Sequence, residues 1–143
     1  RAAALLKGRR ETVAAVEATS GGLLNAALLS VPGASRYYRG PGTLVYGLGS
    51  EPSRAAFRAV LGDDALFASL SDPVHKSSAA AYLSGKQLWA RRMASHMRGR
   101  LGADWCVVEC GATGPTFNVA GVERAFTALA VAGPLEDLVV VES

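Results

Sequence analysis

Thr12-Val13-Ala14-Ala15-Val16-Glu17-Ala18-Thr19-Ser20-Gly21-Gly22-Leu23-Leu24 is the stretch whose reading decides the fold. Its short, apolar, β-branched start reads as a buried strand, and small polar residues with a glycine pair stop it. The apolar segment from Leu23 to Leu29 then has the length and spacing of a helix start. Strand, tight turn and helix in that order point several backbone N–H groups into one space, which favours an anion or a developing negative charge. Glu17 ends the strand, and the hydroxyls of Thr19 and Ser20 stand beside it, so chemistry is expected here. The same residues also read as a plain strand-to-helix turn, with Ser20 as N-cap and the glycines there for close packing.

Outward from that stretch the pattern alternates. Ala2 to Arg9 reads as a helix end, Thr12 to Val16 as the first strand, and Gly21 to Leu29 or Ser30 as a helix closed by Pro32-Gly33. A second strand is expected at Thr43 to Tyr46, after Gly40-Pro41-Gly42. Ser50 can cap a helix that has Pro52 in its first turn and runs to about Leu61. Ala65 to Leu70 is a short helical or loop piece, and Lys76 to Arg98 is a long amphipathic helix made to pack on a sheet. A strand follows at Trp105 to Cys110, then the small-residue loop Gly111 to Thr116, then two strands, Arg124 to Val131 and Leu138 to Val141, with Gly133-Pro134 between them. The alternation specifies a three-layer α/β domain, with a mixed or mostly parallel sheet and helices on both faces. Residues 1–143 form a single domain. Ligands of such sheets sit beyond the carboxyl ends of the strands, so the Thr113-Gly114 loop is expected to face Glu17 to Gly22 across one cleft.

Composition narrows the function. Half of the 143 residues are hydrophobic, 19% are charged, and the formal net charge is only +3. The arginines at 91, 92, 98 and 100 have no interleaved aromatics, which argues against nucleic-acid binding. No apolar run reaches transmembrane length. Cys106 and Cys110 lie on one side of a strand, too far apart along it for a disulfide, and do not form a zinc motif. They read as buried free thiols of an intracellular, reducing compartment, whether cytoplasm or organelle interior. His75 and His96 fall at opposite ends of the long helix, so they read as surface or capping residues, and no metal or cofactor is expected. Asp63-Asp64 reads as a solvated turn. The chain opens inside a helix without an initiator Met, so it is expected to be part of a longer polypeptide.

Glu17-Ala18-Thr19-Ser20-Gly21-Gly22, then Val31-Pro32-Gly33-Ala34-Ser35-Arg36-Tyr37-Tyr38-Arg39-Gly40, then Thr43-Leu44-Val45-Tyr46, resembles the CinA C-terminal domain family. That family includes the nicotinamide-nucleotide amidases, with E-S-C-T-G-G, V-P-G-A-S-x-Y-F-x-G-G and V-x-Y-S-N-E-A-K in that order. Leu101-Gly102-Ala103-Asp104 and the Gly111-to-Pro115 loop fall where the family has G-A-D and G-x-A-G-P. The resemblance implies hydrolysis of the carboxamide of nicotinamide mononucleotide to acid and ammonia, by a serine nucleophile and a lysine base, without metal. Glu17, Thr19, Gly21, Gly22, Tyr46, Arg54, Thr113 and Gly114 are the substrate-binding positions expected.

Two departures alter that expectation. The family's nucleophilic serine is Ala18 here, and residues 47 to 54 contain no lysine. Arg54 is the nearest cation, and an arginine stays protonated, so it can hold an anion but cannot act as general base. Ser20, on the family's threonine position, is the replacement nucleophile, with Glu17 or a residue distant in sequence such as Lys76 as its base. The expectation is therefore a degraded Ser/Lys site in a non-catalytic interaction or structural domain, with protein partners or a homo-oligomer. The alternative is an amidohydrolase that works through Ser20. A nicotinamide nucleotide remains a possible ligand in either case.

Overall fold

The computed structural model describes residues 1–40, 43–44, 50–70, 77–112, 121–122, 124–135 and 137–142. Its strands are β1 (Val13–Glu17), β2 (Thr43–Leu44), β3 (Trp105–Ala112), β4 (Phe126–Ala132) and β5 (Asp137–Glu142). Its helices are α1 (Ala2–Arg9), α2 (Leu23–Leu29), α3 (Glu51–Leu61), α4 (Asp64–Leu70) and α5 (Ala79–Arg100). The strands form one mixed sheet in the order β2-β1-β3-β4-β5. β1 lies parallel to β2 and β3, and β3-β4-β5 is an antiparallel meander.

Side-chain alternation divides the two faces. Ala14, Val16, Cys106, Val108 and Cys110 point into the main core, with Phe57 and Leu61 of α3 and Ala90, Met93, Ala94 and Met97 of α5. Val13, Trp105 and Val107 point to the other face and pack with Ala3, Leu6, Leu28 and Tyr37. The expected three-layer arrangement, helices on both faces of a mixed sheet, is what the chain adopts.

Local signals locate most helix ends. The Ser50 hydroxyl accepts the Ser53 N–H, and Gly62, at φ 64°, closes α3 in the left-handed region. Ser78 caps α5 by accepting the Ala81 N–H at 3.1 Å. Asp63 accepts the Leu66 N–H at 2.8 Å and so caps α4, while Asp64, the first residue of α4, meets Arg58 at 2.6 Å on the surface; the pair expected as a solvated turn is a helix start. His96 brings Nε2 to 2.8 Å from the Leu61 carbonyl, at the C-terminal end of α3. The expected continuation of β2 to Tyr46, together with His75 and Lys76, lies outside the described residues.

Cys106 and Cys110 are free and buried, and burial pushes both thiols up to about 12. A thiol reagent needs a thiolate and access to it. Folded protein at pH 7.5 is expected to leave both unreacted for as long as it stays folded, and to release both when guanidinium unfolds it. Rapid labelling of the folded form would contradict this burial.

Candidate functional site

β1 and β3 run parallel in the register Val13↔Trp105 through Val16↔Val108. One residue further on each strand, Glu17 and Glu109 come side by side, both on the face that carries α2. Each is almost wholly buried. Two adjacent buried carboxylates repel each other unless donors neutralise them.

The turn after β1 supplies those donors. Glu109 Oε2 accepts the N–H groups of Ala18, Thr19 and Ser20 at 3.1, 3.0 and 2.9 Å and the Ser20 hydroxyl at 2.7 Å. Its Oε1 accepts the Thr19 hydroxyl. Glu17 folds back over the start of α2, where Oε2 accepts the N–H groups of Gly22 and Leu24 at 3.1 and 3.0 Å. Its Oε1 accepts the backbone and side-chain N–H of Asn25, both at 2.6 Å. Ser20 Oγ lies 2.5 Å from Glu17 Oε2 as well, so one hydroxyl hydrogen bridges the two carboxylates. The Tyr38 hydroxyl extends this chain by donating to Asn25 Oδ1. Gly21 and Gly22 make the turn possible, since both have positive φ, 64° and 102°.

The donors set the electrostatics. Burial works to raise both glutamates, yet hydrogen bonds from Ser20, Asn25 and Leu24 hold Glu17 below the usual carboxylate value. Those from Thr19, Ser20 and Ala18 do the same for Glu109. Asp104 is also lowered, by the hydroxyl and N–H of Thr12, at the opposite ends of β1 and β3. Tyr38 is shifted up by burial and by the charge of Glu17.

A carboxylate with a depressed folded value contributes stability that is complete above its unfolded value and disappears as pH falls through the folded one. With unfolded values of 4.5 for Glu17 and Glu109 and 3.8 for Asp104, stability is expected to be flat from pH 7 to about 5. Below about 4.5 it should fall steeply. Urea midpoints taken between pH 7 and pH 3 check this, and a stability that rises on acidification would contradict the sign.

The structure thus brings Glu17, Thr19, Ser20, Gly21 and Gly22 into one turn. Ala18 lies within it and packs on the main core. Arg54 places its guanidinium 5.3 Å from the centre of the Phe67 ring, between α3 and α4. Tyr46, Thr113 and Gly114 lie outside the described residues. The parallel pairing does send the chain out of β1 and β3 at the same end of the sheet. Among the described residues no group of His, Cys, Asp and Glu could hold a metal ion, and no helix is long and apolar enough to cross a membrane.

Glu109 is the residue that sequence reasoning passed over as a site member. The available signal was an acidic residue near the carboxyl end of an apolar strand, matching Glu17 on another.

Comparison with known proteins agrees with this architecture. The model of the CinA C-terminal domain matches residues 1–50. A CinA-like protein of Prochlorococcus marinus (strain MIT 9313) is 36% identical over 134 residues, covering 91% of this chain and 26% of the relative. A CinA-like protein of Gloeobacter violaceus is 33% identical over 138 residues, covering 94% of this chain and 27% of the relative. The chain therefore spans about a quarter of the length of these relatives. The crystal structure of a competence-damaged protein (CinA) superfamily protein from Escherichia coli superimposes with a TM-score of 0.73 at 18% identity, over 99% of this chain and 72% of that one. The competence damage-inducible protein A of Klebsiella pneumoniae gives 0.71 at 21% identity, over 99% and 76%. The fold, the matched N-terminal segment and the relatives agree, and the chain is a divergent member of the CinA C-terminal domain family.

Proposed function

We propose that this domain retains the family fold without amidase chemistry and serves as an interaction or structural element of a larger protein or assembly. The observation that carries the reading is the position of the Ser20 hydroxyl, 2.5 Å from one carboxylate oxygen and 2.7 Å from another. Attack on an amide requires an activated oxygen and a base matched to the task. An alkoxide at Ser20 would set a third negative charge against two anions. Both glutamates are held below their ordinary range, which makes them weak bases. Ala18, on the family's nucleophile position, ends in a methyl group, and residues 47 to 54 offer no lysine.

The same distances favour a second reading, since they also place Ser20 within hydrogen-bond reach of a base. In that case Ser20 is the nucleophile of an amidohydrolase that converts nicotinamide mononucleotide to nicotinate mononucleotide and ammonia. An ammonia-release assay on the purified protein, run beside Ser20→Ala, separates the two. The expected result is background release from both proteins, because loss of catalytic members leaves at most about 10³–10⁴-fold over water from binding and oxyanion donors. Robust turnover that vanishes in Ser20→Ala would establish the hydrolase instead. A rise in melting temperature with the nucleotide would identify a retained ligand without chemistry, because a ligand bound only by the folded state stabilises it.

A further inference from the structure

We propose that residues 18–20 form a receptor for a small carboxylate, which Glu109 occupies from within the chain and so closes to carboxylates from solution. Three successive N–H groups converge on one oxygen of Glu109, at 3.1, 3.0 and 2.9 Å, and the Ser20 hydroxyl reaches the same atom at 2.7 Å. The Thr19 hydroxyl takes the other oxygen. Consecutive backbone N–H groups closing on one anion are a recurrent way of capturing carboxylates. The receptor is separate from the start of α2, whose donors, the N–H groups of Leu24 and Asn25, are engaged by Glu17.

Receptor and occupant come from different parts of the chain, since Glu109 stands on β3 and the donors follow β1. The turn also has a support that does not involve Glu109. Ser20 Oγ, Gly22 N–H, Leu24 N–H and Asn25 N–H are all tied to Glu17, and β1 is tied to β2 and β3. Removing the Glu109 side chain therefore leaves the N–H groups of Ala18, Thr19 and Ser20 aimed at an empty, buried space. Truncation at Cβ removes one methylene and one carboxylate, which together have the shape of acetate. In the native chain that space is filled, and an incoming carboxylate meets no free donor in it. This inference does not depend on the absence of catalysis, because it is read by binding and not by turnover.

The test compares native protein, Glu109→Ala and Glu109→Gln by thermal melting in sodium acetate and in sodium chloride of equal ionic strength. Glu109→Ala is expected to melt well below native in chloride. Acetate should raise its midpoint in a saturable way, by about 5 °C or more at a hundredfold excess over Kd. Native protein and Glu109→Gln, whose side chain still fills the space, should show no acetate-specific shift. If Glu109→Ala does not fold in chloride, acetate in the refolding buffer should restore the native tryptophan fluorescence, and phosphate, too bulky for the space, should not. Equal midpoints of Glu109→Ala in the two salts, no recovery of an unfolded variant by acetate, or the same acetate shift in native protein would each overturn the proposal.

Discussion

Glu109→Gln is expected to lower the stability of the domain by about 3 kcal/mol at pH 7, which is large against a typical total of about 5–15. The substitution keeps the shape of the side chain and removes its charge. One face of the new carboxamide is an NH₂ group, a donor aimed at donors. Five hydrogen bonds end on Glu109, three from N–H groups and two from hydroxyls, and a single amide oxygen cannot accept them all. Hydrogen bonds to a charged acceptor contribute about 1.5–3 kcal/mol each, and an unsatisfied buried donor costs about 1–3. Urea unfolding of the two proteins measures the difference. The gap should narrow as pH falls below about 4.5, where the unfolded chain takes up a proton on this carboxyl that the folded carboxylate, held lower by its donors, resists. A loss that stays constant down to pH 3 would mean that charge is not what Glu109 contributes. Asp64→Ala is the contrasting case, since it and its partner Arg58 are both more than half exposed and the pair is screened by water. No measurable change is expected there.

Much of the fold was legible because its signals are local. Ser50 with Pro52 two residues later marks a helix start, and the structure begins α3 at Glu51. The long periodic segment was expected at Lys76 to Arg98 and is observed as Ala79–Arg100, with Ser78 as its cap. The strands are legible for a different reason, since parallel strands covered on both faces read as continuous apolar runs. The turn at 17 to 22 was legible as a place where N–H groups converge. What fills it was not, because the occupant stands on β3, about 90 residues away in sequence. No local pattern encodes which buried acid will meet which turn; only the register Val16↔Val108 does that. Tyr38 has the same character. The partner of its hydroxyl is not a neighbour in sequence, and pairing with Val13 goes with a hydrogen bond from that hydroxyl to Asn25, extending the chain that ends at Glu109. Sequence therefore located the site from one side, and strand pairing supplied the other.

Gly111→Ala is expected to be among the most damaging single methyl additions in the described part of the chain. Glycine within a strand ordinarily weakens it, and its retention marks a close backbone approach. At Gly111 that approach is to β4: an added Cβ would stand 2.2 Å from the Phe126 carbonyl oxygen and 3.1 Å from the Thr127 Cα. Both are backbone atoms, so no rotamer change relieves the contact, and β3 must move away from β4. These strands are paired from Cys106↔Ala132 to Ala112↔Phe126, in the interior of the sheet. Overpacking in a well-filled interior costs about 1–3 kcal/mol and occasionally more, and rigid backbone on both sides puts this case at the upper end. The midpoint of thermal unfolding should fall by roughly 10 °C. The displacement also reaches the site, because Glu109 is two residues away on the same strand, and its carboxylate would draw back from the N–H groups of Ala18, Thr19 and Ser20. Amide exchange at those three positions should quicken more than the loss of global stability accounts for. Gly133→Ala serves as the control. Its added Cβ would meet the Trp105 ring at 2.2 Å, but a side chain can turn aside, so the loss should be smaller and should leave exchange at residues 18–20 unchanged. A Gly111→Ala protein that melts within a degree of native would show that β3 and β4 do not approach as closely as this geometry requires.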